Sequence, residues 1–181
     1  MRFILFIALF LLQINTAFSQ KALPAQQLLD TALSKAAREN KKVFAISTAT
    51  WCPPCQQLKA ILHDKEVATL LEKQYVLLYL YSAERGKKEK NNNPGTLEII
   101  EKYDGYTMGV PYWFILDAAG EKLADSYNGA KRSPDMMKKY ITYPDSEGLL
   151  KDFEHILERT SALTNKEIKL ISERIKKIAW L

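Results

Sequence analysis

The chain has 181 residues, of which 47% are hydrophobic and 26% are charged. This length suits one domain, and these proportions exclude a disordered, collagen-like or low-complexity protein. The net charge is +5, from 26 Lys and Arg against 21 Asp and Glu, and because this small excess is spread along the chain it does not favour nucleic-acid binding.

The first nineteen residues predict a secretory signal peptide. Arg2 gives a positive start, residues 3–12 form an unbroken apolar run, and Ala17 and Ser19 are small residues suited to a cleavage site. A transmembrane helix needs about 20 apolar residues, so the run is short for a span, and an uncleaved anchor is the alternative reading. We therefore expect an exported protein, periplasmic or otherwise outside the cytoplasm, that is soluble after cleavage and forms a single domain over residues 20–181.

The first part of this domain predicts a helix, a strand and a second helix. Apolar residues recur at helical spacing over residues 24–40. Residues 43–46 form a short apolar run that is typical of a buried strand. Pro53 and Pro54 are tolerated only in the first turn of a helix, so the next helix should begin beside Cys52.

Between residues 64 and 127 the sequence alternates helices and strands and ends in a hairpin. The predicted elements are, in order, a helix capped by Asp64, a strand at 75–81, a solvated loop at 84–95, a short helix at 96–103, and strands at 112–116 and about 121–127. Alternating strands and helices followed by a hairpin indicate an α/β fold with a central mixed sheet flanked by helices.

The C-terminal part predicts additional helices. Ser133-Pro134 has the form of a helix N-cap and first residue, Ser146 precedes an amphipathic run, and Thr164 with Glu167 forms a capping box. We therefore expect a core at about 24–129 and a helical extension at about 131–181.

The two cysteines, Cys52 and Cys55, are three positions apart. A structural framework normally uses four or more cysteines, and a bridge between these two closes almost no loop, so its structural value is small. A zinc site would also need His63 and His155, which are far apart and lack finger-type spacing. We interpret both histidines as solvated surface residues and the cysteine pair as a chemical site without a metal.

A cysteine at the start of a helix is suited to disulfide exchange. The backbone N–H groups and the helix dipole favour the thiolate, which is the attacking species. Cys52 would attack a disulfide in a partner protein, and Cys55, one turn further along, would attack the mixed disulfide and release the reduced partner.

The segment Trp51 to Cys55, WCPPC, resembles the active site of the thioredoxin family. Gly109-Val110-Pro111 resembles the family's G-[IV]-P segment, whose proline is cis and lies against the C-x-x-C. The order of elements over residues 24–129 is also similar to the family's. With the signal sequence, the chain is most similar to bacterial periplasmic thioredoxin-like proteins.

This resemblance implies a thioredoxin fold in which Cys52 and Cys55 are catalytic and their disulfide is the redox group, with no other cofactor. It also implies a set of residues that bind or support the substrate: Trp51, Pro53, Pro54, Val110, Pro111 and Tyr112. Among these, Trp51 is expected to shape the docking surface and Tyr112 to contact a partner.

The sequence departs from the family at the position six residues before Cys52. Thioredoxins commonly place a buried Asp there to manage the proton of the second thiol, and this chain has Ile46. The proton of Cys55 must therefore go to water or to another group, for which Glu121 and Lys122 are candidates.

Further departures concern the surroundings of the site. Ser47 and Thr48 replace the residues that are usually aromatic at the end of the strand, which predicts a more polar floor. The loop at 84–95 and the segment after residue 131 lie outside the family's core. We expect partner specificity in these additions.

The residues between the cysteines bear on the direction of electron flow. Strongly oxidising relatives have a His just before the second cysteine, which stabilises the reduced form, whereas Pro54 has neither charge nor donor. This favours a reductase over an oxidase or isomerase. By resemblance, its partners would be disulfide-containing exported proteins and a membrane-embedded electron donor.

Two other classes of function remain open from the sequence. One is a copper-handling protein that uses Cys52, Cys55 and a histidine. The other is an adaptor that binds partners without catalysis. The sequence does not indicate an oligomeric state.

Overall fold

The computed structural model describes residues 22–105, 109–127 and 140–179. In chain order its elements are helix α1 (Ala25–Glu39), strand β1 (Lys42–Thr48), helices α2 (Pro53–Leu62) and α3 (Lys65–Leu71), strand β2 (Tyr75–Tyr81), a 3-10 helix (Gly86–Asn91), helix α4 (Thr96–Lys102), strands β3 (Tyr112–Leu116) and β4 (Lys122–Asp125), and helices α5 (Glu147–Thr160) and α6 (Asn165–Ala179). The predicted signal peptide and Ser133-Pro134 lie outside the described residues.

The four strands form one mixed sheet in the order β2-β1-β3-β4. The central strand β1 runs parallel to β2 and antiparallel to β3, and β3 runs antiparallel to β4. This confirms the predicted α/β fold with a mixed sheet. The parallel pairing brings the C-terminal ends of β1 and β2 to the same edge, where Thr48 is aligned with Tyr81.

Helices cover both faces of the sheet, and alternate residues of β1 serve the two faces. Phe44 and Ile46 pack with residues of α2, α3, α5 and α6, whereas Val43 and Ala45 pack with residues of α1 and α4. Within β1 only Lys42 is partly exposed. The two faces explain why the strand reads as an uninterrupted apolar run.

The C-terminal helices complete one face of the sheet. Phe153, from α5, meets the ring of Trp113 edge-on at 6.0 Å between centroids, and Ile171, from α6, is fully buried in the same cluster. The indole N–H of Trp113 donates to the carbonyl of Ile141 at 2.8 Å. Fully burying a side chain such as that of Phe153 or Ile171 stabilises a fold by about 1.5–3 kcal/mol. The additional helices therefore share the main core.

Three predicted helix caps, at Asp64, Ser146 and Thr164, are confirmed. Asp64 accepts from the backbone N–H groups of Glu66 and Val67 at the start of α3. Ser146 accepts from Leu149 at the start of α5. Thr164 and Glu167 bond reciprocally, as a capping box requires.

In the part of the chain that the structure describes, no helix is long and apolar enough to span a bilayer.

The prediction of a solvated loop at 84–95 is wrong for Glu84 and Asn93, which are buried. Glu84 is 4% exposed, and residues Gly86–Asn91 form the 3-10 helix. Asn92 bonds both the N–H and the carbonyl of Glu84, at 2.8 and 3.1 Å, and Asn93 accepts from the N–H of Tyr81 at 2.8 Å. Asparagine side chains here replace backbone partners, so a segment without apolar residues is nevertheless ordered.

The second strand of the hairpin is shorter than predicted. The sequence predicts about 121–127, and β4 covers Lys122–Asp125. The Asp125 carboxylate accepts from the N–H of Tyr127 at 2.9 Å, which turns the chain out of the strand.

Candidate functional site

Cys52 and Cys55 form a disulfide between the end of β1 and the start of α2. Cys52 is the N-cap of α2, with extended backbone angles, and Pro53 and Pro54 occupy the first helical positions. This confirms the predicted helix start. The N–H of Cys55 points at the sulfur of Cys52, with 3.2 Å between N and Sγ. In the reduced protein this N–H would make a charge-assisted hydrogen bond to a thiolate on Cys52.

Both cysteines are almost fully buried, at 2% and 3% exposure. They pack with Ala49, and Ala83 and Val110 lie against them. The disulfide thus opens to solvent over a very small area. A partner must therefore fit closely against the surrounding surface to bring its own sulfur into line.

The segment before Pro111 lies against the disulfide. The Val110–Pro111 peptide bond is cis, as the resemblance implied. The carbonyl oxygen of Val110 is 3.4 Å from the Cys52 sulfur, and Val110 itself is half-buried. The carbonyl of Pro111 accepts from the Tyr140 hydroxyl. Residues 52 and 110, which are 58 positions apart, therefore form one site.

Trp51 is both exposed and fixed in place. Its side chain is 43% exposed, its indole N–H donates to the carbonyl of Ala83 at 2.6 Å, and the guanidinium of Arg85 lies 3.7 Å from the ring centroid. One edge of the ring is held by a hydrogen bond and one face by a cation–π contact. Trp51 thus presents a rigid apolar surface next to Cys52.

The expectation that Tyr112 contacts a partner is wrong. Tyr112 is fully buried, and its hydroxyl donates to the carbonyl of Tyr103 at 2.6 Å. Burial raises the pKa of its hydroxyl, and the nearby Asp125 adds to this effect. Alternation along a strand places one face in solvent only when that face is uncovered, and here helices cover both faces, so every residue of β3 is buried.

The expectation that Glu121 or Lys122 handles the proton of Cys55 is also wrong. Lys122 pairs with Leu116 of β3, which in turn pairs with Val43 at the start of β1, whereas Cys52 follows the end of that strand. Glu121 and Lys122 therefore lie at the opposite end of the sheet from the disulfide.

Lys122 also has its own partners there. Its ammonium group bonds the carboxylates of Asp104 and Asp125 at 2.6 and 2.8 Å. Burial lowers the pKa of Lys122, but the hydrogen bonds and negative charges of the two carboxylates together outweigh it and leave the pKa raised. The lysine is thus held as a cation in an ion-pair network away from the site.

The polar floor predicted from Ser47 and Thr48 is present but enclosed. Ser47 is fully buried and its hydroxyl bonds that of Ser82 at 2.7 Å. Ile46 is 1% exposed among the apolar residues between the sheet and α2.

Glu84 is a site residue that the sequence reading missed. Its buried carboxylate accepts from the backbone N–H of Thr50 at 2.6 Å and from the Thr50 hydroxyl at 2.9 Å. The Lys88 ammonium donates to the same hydroxyl at 3.1 Å. The available signal was topological: Glu84 follows β2 and Thr50 follows β1, and parallel neighbours end at the same edge of a sheet.

A cleft of about 340 Å³ adjoins the disulfide. Its lining includes Trp51, Ala83, Arg85, Leu97, Gly109 and Val110. Leu97 is 45% exposed and gives the cleft an apolar patch. The cleft joins the exposed face of Trp51 to the segment that precedes Pro111, and is large enough for a few side chains of a polypeptide.

The two histidines have neighbours of their own. His63 bonds the Tyr79 hydroxyl at 3.1 Å and stacks on its ring, and His155 lies 3.2 Å from Glu158. Across residues 22–105, 109–127 and 140–179, no group of three or more His, Cys, Asp or Glu is arranged to hold a metal ion.

Comparison with known proteins gives one family match. A model of the family described as Thioredoxin-like domain matches residues 29–144. This span contains Cys52, Cys55 and the cis Pro111. No functionally curated protein matches the sequence.

Several solved structures are similar to the chain. A disulphide isomerase from Xylella fastidiosa Temecula1 is 21% identical, with 62% of this chain and 79% of that chain covered and a TM-score of 0.46. A DsbH oxidoreductase is 16% identical, with 81% and 92% covered and a TM-score of 0.45. A thioredoxin from Thermus thermophilus is 21% identical, with 66% and 83% covered and a TM-score of 0.41.

Proposed function

The chain belongs to the thioredoxin-like domain family and is a thiol–disulfide oxidoreductase, and we propose that it acts as an exported reductase of disulfides in other exported proteins. The observation that carries this proposal is the position of Cys52 at the N-cap of α2, where the N–H of Cys55 meets its sulfur. That N–H supports a thiolate on Cys52, and Cys55 is close enough to form a disulfide with it.

In the proposed reaction, the Cys52 thiolate attacks one sulfur of the substrate disulfide. The substrate S–S bond breaks, a mixed disulfide forms, and the other substrate sulfur leaves as a thiolate. Cys55 then loses its proton and attacks the Cys52 sulfur, which breaks the mixed disulfide and releases the second substrate thiolate. The substrate gains two electrons from the two cysteines, one proton from Cys55 and a second proton from solvent, and the protein is left with the Cys52–Cys55 disulfide.

The proton of Cys55 needs an acceptor, and strand β1, which leads into the site, does not supply one. Ile46 offers no base, and Glu121 and Lys122 lie at the other end of the sheet. The substrate thiolate released in the first step is beside the site at that moment. We therefore propose that this thiolate takes the proton of Cys55.

The proposed direction of electron flow rests on Pro54. It occupies the first turn of α2 and offers no charge or N–H donor that would further stabilise the reduced form. A reductase must be recharged, and the chain has no cysteine besides Cys52 and Cys55. The proposed membrane-embedded donor and the substrates would therefore use the same surface around Cys52 in turn.

Two measurements test this proposal: the reduction potential of the cysteine pair, and the accumulation of mixed disulfides in a variant that lacks Cys55. The reduction potential of the Cys52–Cys55 couple is expected to lie toward that of thioredoxin, about −270 mV, and a value near about −120 mV would contradict a reductase. The Cys55→Ser variant, expressed with its leader, should accumulate mixed disulfides with exported proteins, and the Cys52→Ser variant should not. Absence of adducts would favour the non-catalytic adaptor.

A further inference from the structure

The segment that follows Glu84 carries a concentration of positive charge. We call the side chains of Arg85, Lys87, Lys88 and Lys90 the cationic rim. All four residues are exposed, and within the same stretch only Glu89 is acidic. Among the described residues, no carboxylate forms an ion pair with any member of the rim. These charges therefore contribute little to the stability of the chain itself.

The rim is held next to the disulfide by specific contacts. Arg85 lies over the ring of Trp51 at 3.7 Å, and Lys88 bonds the Thr50 hydroxyl at 3.1 Å. Glu84 anchors the start of the segment to Thr50, and Asn92 closes its end onto the backbone of Glu84. Arg85 and Lys88 are therefore held against Trp51 and Thr50, the two residues that immediately precede Cys52.

The rim is also continuous with the cleft. Arg85 and Trp51 line the cleft together with Val110, whose carbonyl lies 3.4 Å from the Cys52 sulfur. A polypeptide that lies in the cleft with its cysteine at Cys52 would place its neighbouring side chains near Arg85 and the lysines. Acidic side chains there would meet cations that form no ion pair with a carboxylate among the described residues.

We propose that the cationic rim selects substrates in which the reacting cysteine is flanked by Asp or Glu. The inference rests on the proposed function, because it names the class of substrate for the same site. Exposed ion pairs add little affinity one at a time, and their main effect is on the rate of association, which falls as salt screens the charges. The rim should therefore give acidic substrates a higher kcat/KM than basic ones, and this difference should shrink as the salt concentration rises.

The test uses three peptides with the same intramolecular disulfide and with flanking residues that are acidic, neutral or basic. We expect kcat/KM to fall in the order acidic, neutral, basic, with roughly tenfold between the extremes at about 0.02 M salt, and with most of that difference lost at about 0.5 M. The double variant K87Q/K90Q should reduce the preference several-fold.

A matched control is the double variant K166Q/K169Q. Both lysines are exposed in or beside the first turn of α6. The segment leading into that helix bonds Gln74 at the start of β2, whereas the rim follows the end of β2. The control removes the same charge from the opposite end of the strand and should leave the preference unchanged.

Failure of this inference can be told apart from failure of the proposed function. Equal rates for acidic and basic peptides, or equal effects of the two double variants, would overturn the inference while disulfide reduction stands. If the protein reduces none of the peptides, the proposed function fails. Binding is then measured with peptides whose cysteines are alanines, by the NMR signal of the Trp51 indole N–H, and equal affinity for acidic and basic forms overturns the inference.

Discussion

Glu84 and Thr50 lie 34 positions apart, yet the Glu84 carboxylate accepts from both the N–H and the hydroxyl of Thr50, at 2.6 and 2.9 Å. This contact ties the segment after β2 to the turn that leads into Cys52. It joins the buried carboxylate of Glu84, and with it the exposed basic segment that follows, to the turn before Cys52. Its removal is expected to affect stability and the geometry of the site together.

Replacement of Glu84 by alanine is expected to lower the free energy of unfolding by about 2–3 kcal/mol, because two hydrogen bonds to a charged acceptor are lost and the N–H of Thr50 is left without that partner. Urea unfolding of the oxidised protein measures the change. Glu89→Gln, in the same segment but exposed, is the control and should change stability by less than about 0.5 kcal/mol. Equal effects of the two substitutions would contradict the anchoring role of Glu84.

Replacement of Trp51 by alanine is expected to lower kcat/KM for a protein disulfide roughly tenfold, because a fixed, exposed aromatic ring is typical of residues that dominate binding. The rate with a small disulfide such as oxidised glutathione should fall less, since it needs less of the docking surface. Parallel kinetics with the two substrates measure this. A loss of the same size with both would mean that Trp51 acts on the cysteines rather than on docking.

The ion pair between Asp64 and Arg174 predicts a pH-dependent contribution to stability. The Arg174 guanidinium bonds the Asp64 carboxylate at 2.7 and 3.0 Å and holds the pKa of that carboxyl below its usual value, against the opposing effect of burial. Since the pKa is lower in the folded than in the unfolded chain, the contribution is complete above about pH 4 and is lost as the pH falls toward the folded value.

Asp64→Asn tests this, because asparagine keeps an N-cap acceptor for α3 and removes the charge. We expect a loss of about 1 kcal/mol at pH 7 that shrinks as the pH falls below about 4 and the wild-type carboxyl takes up its proton. Glu173→Gln, exposed on α6, is the control and should show no such pH dependence. A loss that persists unchanged in acid would assign the effect to packing.

Tyr112→Phe tests the buried position of this residue beside the cis Pro111. The substitution removes the hydroxyl that donates to Tyr103 and should lower the free energy of unfolding by about 1 kcal/mol. The KM for a protein disulfide should not change, because the hydroxyl faces away from solvent. A raised KM with unchanged stability would restore Tyr112 as a partner contact.

Local patterns in the sequence were sufficient for most elements and for the centre of the site. The apolar run at 43–46, the capping residues Asp64, Ser146 and Thr164, and the prolines after Cys52 all act over a few residues, so the printed sequence contains the whole interaction. The cis bond before Pro111 followed from resemblance.

The errors at Tyr112, Lys122 and Glu84 share one cause, which is contact between residues far apart in the chain. Tyr112 is buried because helices cover both faces of β3, and Lys122 is remote because β3 runs antiparallel to β1. Glu84 is buried because a distant N–H and hydroxyl of Thr50 compensate its charge. Strand order and register decide such contacts, and neither is written in the periodicity of a single segment.

The C-terminal helices also determine when one face of the sheet can be fully covered during synthesis. Phe44 and Trp113 are covered by residues of α5 and α6, which are translated after every strand of the sheet. A nascent chain that has emerged only as far as β4 therefore has α2 and α3 on this face of the sheet but not yet α5 and α6. Until both helices have been made, such a chain lacks the part of its main core that Phe153 and Ile171 supply.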